Sequence, residues 1–192
     1  MKKIIIAIDG DSSSGKTSLA KSLAKKIGYN HINTGSMYRA VTFAAFKHEL
    51  ILDSKIEFNP RLIIELVNTL HFEFKLIEGV SSVFLNGVNI QKEIGSTKVS
   101  DYVSQVSAIY EVRKKIVSIQ RKLGVKKGVV MEGRDIGSVV FPKAELKFFI
   151  TADINTRVER RFNELKDKGL DIEKLSVENN LKKRDFLDKN RE

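Results

Sequence analysis

Eight residues near the start of the chain have the types and the spacing that bind a triphosphate. The segment Gly10-Asp11-Ser12-Ser13-Ser14-Gly15-Lys16-Thr17 satisfies the pattern G-x-x-x-x-G-K-[ST]. In such a loop, successive backbone N–H groups and the N-terminus of the next helix direct partial positive charge at phosphates. Lys16 adds a full charge near the β- and γ-phosphates, and the Thr17 hydroxyl can coordinate Mg²⁺. We therefore predict a nucleoside triphosphate site over residues 10–18, which includes Ser18.

The alternative to a triphosphate site is a glycine-rich turn that binds nothing. If the loop does bind a triphosphate, several classes of protein still share it. A GTPase needs an N-K-x-D segment to recognise guanine, and Asp188-Lys189-Asn190 has these residue types in the wrong order. A large ATPase needs more than the 192 residues present. A kinase that acts on a small molecule fits the length best.

Arginines follow two of the predicted strands. Phosphoryl transfer depends on positioning and on charge neutralisation, so a kinase needs a second anion site lined by cations. Arg39 follows the segment 33–38, near the end of a predicted second strand. Arg134 and Asp135 follow the apolar strand 129–131, at the edge where α/β sheets bind ligands. A surface salt bridge is the alternative for a lone arginine, but we favour a functional role for Arg134.

Further arginines recur at helical spacing in two places. Arg157, Arg160 and Arg161 lie at positions i, i+3 and i+4, so they share one face of a predicted helix. This face could be solvated and paired with acidic neighbours, or it could be a lid that closes over the transferred phosphate, and we favour the lid. The second set, at positions i, i+4 and i+7, is Arg184, Asp188 and Arg191. Its spacing fits a surface ion-pair ladder as well as it fits a binding site.

The elements that must position these residues follow an alternating α/β pattern. The apolar run 4–8 is typical of a parallel strand buried on both faces, and Leu19, Leu23 and Ile27 then recur at helical spacing. Further strands are predicted at 125–131 and 146–151, and helices at 36–50, 59–70, 99–123 with a break near Tyr110, after Asp153, and from Ser176. This order predicts a central parallel sheet covered by helices.

A change of period marks a small insert in this pattern. Phe72, Phe74 and Leu76 alternate with charged residues, which indicates a half-buried strand. Asn86-Gly87 separates the apolar runs 82–85 and 88–90, which indicates a hairpin with a two-residue turn. We predict one domain over residues 1–192, with an antiparallel insert at about 58–96.

Composition narrows the class of protein. The net charge of +10 and the pI near 9.7 favour anionic partners, but basic arms and aromatic RNA-binding runs are missing, so nucleic acid is not the expected ligand. There is no cysteine, which excludes disulfides and thiolate metal sites. The sequence has neither a signal-like segment nor an apolar run long enough to span a bilayer. We expect a cytoplasmic monomer without membrane partners.

Together these segments resemble bacterial cytidylate kinases over essentially the whole chain. The matching segments are 8–17, 34–39, 104–107, Arg113, 133–135, 139–142 and the pattern Arg184-Asp185-x-x-Asp188-x-x-Arg191. The loop is generic, whereas Gly-Arg-Asp before Val-Val-Phe-Pro and the final pattern are specific to the family. The resemblance implies a three-layer α/β P-loop NTPase fold, in which the insert binds the nucleoside monophosphate and a helical lid spans about 153–170.

The resemblance also implies a role for each matching residue. The monophosphate site would contain Thr34, Tyr38 and Arg39, with Arg39 and Arg134 on the CMP phosphate. Ser104, Arg113 and Asp135 would recognise cytosine, and Arg184, Asp188 and Arg191 would hold the ribose and the phosphates. The catalytic residues would be Lys16, Arg134 and the lid arginines Arg157 and Arg161.

Two residues depart from the family pattern. Asn33 and Glu132 stand where the family commonly has aspartates that hold Mg²⁺ through water, and we predict that Glu132 and Thr17 do so here. The family pattern also continues beyond the position of Glu192, for a strand and a helix that frame adenine. The expected reaction transfers the γ-phosphoryl group of ATP to CMP or dCMP, with Mg²⁺ as cofactor. The alternatives are another acceptor such as UMP, a P-loop module without turnover, or a basic nucleic-acid-binding module.

Overall fold

The computed structural model describes residues 2–51, 59–77, 80–167 and 169–189. Its strands are β1 Ile5–Gly10, β2 Asn30–Asn33, β3 Phe72–Ile77, β4 Val80–Leu85, β5 Val88–Asn89, β6 Val129–Gly133 and β7 Leu146–Ile150. Its α-helices are α1 Lys16–Ile27, α2 Thr34–Lys47, α3 Pro60–Thr69, α4 Thr97–Ala108, α5 Tyr110–Gly124, α6 Ile154–Asp167 and α7 Lys174–Lys189. A 3₁₀ turn at Glu93–Gly95 and a short π-helix at Ile136–Val140 complete the assignment.

A parallel sheet forms the centre of the fold, as predicted. Within the described part of the chain it has four strands in the order β2-β6-β1-β7. Asp9 of β1 pairs with Gly133 of β6, and Asn33 of β2 pairs with Glu132. The carboxyl ends of these three strands therefore lie side by side at one edge, which brings the loop after β1 next to Arg134.

Helices cover both faces of this sheet. Ile6 and Ile8 of β1 pack on one face against Ala20 and Ala24 of α1. Ala7 points to the opposite face, where side chains from α5 pack. Alternate residues of β1 are thus buried on opposite sides, which explains its continuous apolar run and gives the three-layer α/β arrangement.

The predicted hairpin lies in a second, antiparallel sheet, which in the described residues has the order β3-β4-β5. Asn86 and Gly87 join β4 to β5 with φ of 49° and 80°, and positive φ at both central residues is what a tight hairpin turn of type I′ requires. Phe72, Val83 and Leu85 pack this sheet onto a cluster shared with α2, α3 and α5.

The predicted break in the long helical stretch is confirmed, whereas the predicted start of the next strand is wrong. Ile109 separates α4 from α5. The strand expected at 125–131 begins at Val129, because α5 continues to Gly124 and a turn follows it. Lys127 and Gly128 adopt φ of 54° and 68°, and two successive left-handed residues interrupt the extended backbone of a strand. Within the described residues, no helix is long and apolar enough to cross a membrane.

Candidate active site

The carboxyl edge of the parallel sheet opens into a cavity of about 810 Å³, a size typical of small-molecule sites. It is lined by the loop after β1, by the start of α2, by the segment after β6, and by residues of α4, α5, α6 and α7. Most of the site residues predicted from the sequence line this cavity: Ser12, Ser13, Gly15, Lys16, Thr17, Ser18, Thr34, Tyr38, Arg39, Ser104, Arg113, Glu132, Arg134, Asp135, Arg161, Arg184 and Asp188. Residues more than 170 positions apart in the chain therefore face one space.

The loop after β1 depends on backbone conformations that glycine provides. Gly10 has φ of 150°, and a Cβ there would lie 2.0 Å from the backbone oxygen of Ile150 in neighbouring β7. Ser13 and Gly15 follow with φ of 59° and 96°, which turns the chain into α1 at Lys16. The backbone N–H groups at the start of α1 thereby lie at the cavity.

Lys16 is the cation of this loop. It is 8% exposed, and its Nζ donates a hydrogen bond to the backbone oxygen of Asp11 at 2.7 Å. Burial, followed by the positive charge of Arg134, lowers the pKa of Lys16 to about 7. Burial and the neighbouring arginines therefore outweigh the attraction of Glu132 and Asp11 for the charged ammonium, and a bound phosphate would add further negative charge.

Arginines from five separate segments also line the cavity: α2, α5, the segment after β6, α6 and α7. Burial, and then the charge of Arg161, lowers the pKa of Arg39 to about 10. Burial, and then the charges of Arg134 and Arg39, lowers the pKa of Arg184 to about 9. The Nε of Arg184 is buried and has no hydrogen-bond partner among the described residues. Such a concentration of partly buried positive charge is typical of a site for a polyanion.

Arg134 connects the loop to the C-terminal helix. Its Nε donates to Oδ2 of Asp188 at 2.6 Å, and its Nη1 donates to the backbone oxygen of Gly10 at 3.0 Å. The arginine is therefore oriented between β1, β6 and α7, with one guanidinium group in contact with both the loop and the last helix.

Arg113 and Asp135 form a second ion pair, at 2.6 Å, and both line the cavity, as Ser104 does. A guanidinium donates and a carboxylate accepts, so the pair presents both functions to a flat polar ligand. Asp9 holds the backbone next to Asp135, because its carboxylate accepts from the N–H groups of Ile136 and Gly137 at 2.7 and 2.8 Å.

Glu132 lies at the end of β6 and is 1% exposed. Its Oε2 accepts from the hydroxyl of Thr17 at 2.7 Å, its Oε1 is 2.9 Å from Nε2 of His31, and its backbone oxygen accepts from Thr34. Carboxylate and hydroxyl oxygens suit Mg²⁺, which is usually held by one or two carboxylates together with phosphates of the substrate. Thr17 and Glu132 therefore fit the predicted metal site.

A sequence model of the family described as cytidylate kinase matches residues 6–192. The chain belongs to the cytidylate kinase family. A cytidylate kinase of Flavobacterium johnsoniae is 46% identical to it over 194 residues, covering 100% of this chain and 84% of that protein. A cytidylate kinase of Parabacteroides distasonis is 47% identical over 197 residues, with coverage of 100% and 84%. One from Caldicellulosiruptor bescii is 44% identical over 192 residues, with coverage of 100% and 83%.

One predicted lid arginine does not line the cavity of this family member. Arg157 is 6% exposed and donates two hydrogen bonds to Asp185, at 3.1 and 2.7 Å, with a third to the backbone oxygen of Ala152. Arg160, from the same helix face, lines the cavity instead and donates to the backbone oxygen of Ser14 at 3.0 Å. Helical spacing grouped these arginines, but it did not show that Arg157 is held by a carboxylate of another helix, Asp185 of α7.

The remaining predicted residues differ in whether they line the cavity. Gly10, Asp11 and Ser14 belong to the loop but do not line the cavity, and Gly10 and Asp11 contribute backbone oxygens to Arg134 and Lys16. Arg191 lies outside the described residues. Asn33 lines the cavity, and its side chain caps α2 by accepting from the N–H of Ser36 at 3.2 Å. This cap explains why α2 begins earlier than the predicted residue 36.

Sequence reasoning missed three residues that support the site. Asp9 and Asp185 both occur in motifs that match the family, but the motifs do not say which groups their carboxylates bind. His31 had no signal in the sequence, because a single histidine within a strand is more often a packed residue than a functional one. Its position against Glu132 comes from the pairing of β2 with β6.

Proposed function

We propose that this protein transfers the γ-phosphoryl group of ATP to CMP or dCMP, giving ADP and CDP or dCDP. The proposal rests mainly on one observation: the loop after β1, the Arg113–Asp135 pair and further arginines all line one cavity. A triphosphate at one end and a nucleoside monophosphate at the other would place their phosphates among these arginines. Membership of the cytidylate kinase family supports this choice of acceptor.

Each group of side chains would have a distinct task. The loop 12–18 would bind the triphosphate, and Arg39 and Arg134 would bind the phosphate of CMP. Arg113, Asp135 and Ser104 would recognise cytosine, whose amino group donates and whose N3 and O2 accept. Uracil reverses part of this pattern and would leave buried groups unpaired. Arg184 and Asp188 would contact the ribose and the phosphates.

The transfer needs no covalent enzyme intermediate. An oxygen of the CMP phosphate attacks the γ-phosphorus in line, while the bond from that phosphorus to the oxygen shared with the β-phosphate breaks and its electrons leave with ADP. Lys16, Arg134, Arg160 and Arg161 would stabilise the negative charge during this transfer, and loss of one such contact typically costs about 3–4 kcal/mol of barrier. Mg²⁺, held by Thr17 and Glu132, would supply further charge neutralisation when bound.

Acceptor-dependent release of ADP tests this function. Purified protein with ATP and Mg²⁺ is offered CMP, dCMP, UMP and AMP separately, and we expect rapid turnover with CMP and dCMP. Lys16→Met should abolish that turnover, whereas Lys21→Met removes an exposed lysine of the same helix and should not change it. Faster turnover with UMP would indicate a related kinase with another acceptor. ATP binding without any acceptor-stimulated release would refute the kinase function.

A further inference from the structure

His31 occupies a buried position behind the cavity that the proposed reaction does not use. It lies on β2 and is 7% exposed, and it is absent from the cavity lining. In the parallel register His31 pairs with Val130, and Asn33 pairs with Glu132. Because side chains two residues apart in a strand share a face, the His31 ring and the Glu132 side chain lie on the same side of the sheet. Their closest approach is 2.9 Å, between Nε2 and Oε1.

The chemistry of this contact determines the direction of the hydrogen bond. A carboxylate only accepts, so Nε2 of His31 carries the hydrogen and donates it to Glu132. The other ring nitrogen, Nδ1, is buried and has no partner among the described residues. Among the described residues, Glu132 is therefore the hydrogen-bond partner of this buried ring, and this bond explains why a polar side chain is tolerated here.

The two oxygens of Glu132 are consequently held by different donors. Oε1 accepts from His31 at 2.9 Å, and Oε2 accepts from the hydroxyl of Thr17 at 2.7 Å. Lys16, the cation of the loop, donates its hydrogen bond to the backbone oxygen of Asp11. Without His31, Oε1 would be a buried acceptor with no donor, and the carboxylate would gain by rotating away from its present orientation.

We propose that His31 is a positioning residue, which holds the Glu132 carboxylate so that Oε2 faces Thr17 and the metal that accompanies a nucleotide. This inference rests on the proposed function, because it assigns a task at the metal site of that reaction. Groups that orient a metal ligand typically change metal affinity by 10–100-fold when they are replaced. The affinity of the nucleotide for the loop without metal should not depend on His31, since neither its ring nor the Glu132 carboxylate is part of the phosphate-binding backbone.

The test compares metal binding with nucleotide binding in variants of His31. Mn²⁺ is titrated into the complex of the protein with ADP, and free Mn²⁺ is followed by its paramagnetic resonance signal; ADP affinity is measured separately with a chelator present. We expect His31→Phe to weaken Mn²⁺ binding at least tenfold and to leave metal-free ADP affinity within twofold. His31→Gln keeps an N–H donor near the position of Nε2, so it should restore Mn²⁺ affinity to within about threefold. The matched control is His48→Phe, which replaces an exposed histidine and should change neither affinity.

Two results would overturn the positioning role. The first is a folded His31→Phe protein whose Mn²⁺ affinity stays within twofold of that of the original protein. The second is a loss of metal-free ADP affinity as large as the loss of Mn²⁺ affinity, which would mean general damage to the site. If His31→Phe does not fold, His31→Asn replaces it, because the shorter amide stays polar but does not reach Oε1. Neither binding measurement contains CMP. If the protein proves to use another acceptor, the results for Mn²⁺ and ADP would therefore be unchanged, and the two proposals can fail separately.

Discussion

Replacement of Arg184 by methionine should make the protein more stable and at the same time prevent it from binding its anionic ligands. The lowered pKa of Arg184, about 9, means that burial and neighbouring arginines disfavour its charged form by about 5 kcal/mol relative to water. The side chain is partly accessible from the cavity, so solvent screening reduces the effect on folding to about 1–3 kcal/mol. A protein of this length should then unfold roughly 3–10 °C higher.

The assay is thermal and urea unfolding in a buffer without phosphate, with and without CMP. We expect Arg184→Met to raise the free energy of unfolding by about 1–3 kcal/mol and to lose most of the stabilisation that CMP gives the original protein. Lys183→Met is the matched control, because it removes the same charge from the exposed neighbouring position and should change stability by less than about 0.5 kcal/mol. A destabilised Arg184→Met protein, or one that CMP stabilises fully, would refute the view that this arginine is held in place for an anion.

Other changes test the remaining parts of the site and of the fold. Asp135→Ala should lower the ratio of kcat/KM for CMP to that for UMP by about 10–100-fold, and an unchanged ratio would contradict its role with cytosine. Gly10→Ala should cost more than about 3 kcal/mol in urea unfolding, because its Cβ would lie 2.0 Å from the oxygen of Ile150. Gly28→Ala has open space at φ of 69° and should cost only about 1–2 kcal/mol; equal costs would contradict the steric argument. The pKa of Asp153 is lowered by hydrogen bonds at the start of α6, so the stability it contributes is present above its ordinary pKa of 3.8 and is lost as pH falls below it. Asp153→Ala should therefore lower the unfolding temperature more at pH 7 than at pH 3, and a difference that does not shrink in acid would refute this.

Local patterns in the sequence determined most of the secondary structure and the triphosphate loop. The apolar run of β1, the helical spacing of α1 and the Asn86-Gly87 turn each depend on residues within a few positions of one another, so the sequence is sufficient to predict them. The start of β6 was predicted wrongly because Val125 is apolar like the strand, while the turn at Lys127 and Gly128 depends on the left-handed conformation of both residues.

The tertiary structure decided which of the polar residues meet. Arg157, Arg160 and Arg161 are equivalent in a helical pattern, and the position of Asp185 on α7 holds Arg157 away from the cavity. His31 acquires its partner because β2 pairs with β6, although the two strands are separated by about 100 residues. Helical and strand periods report neighbours along one element, whereas these contacts depend on how separate elements pack, and that packing depends on the whole core at once.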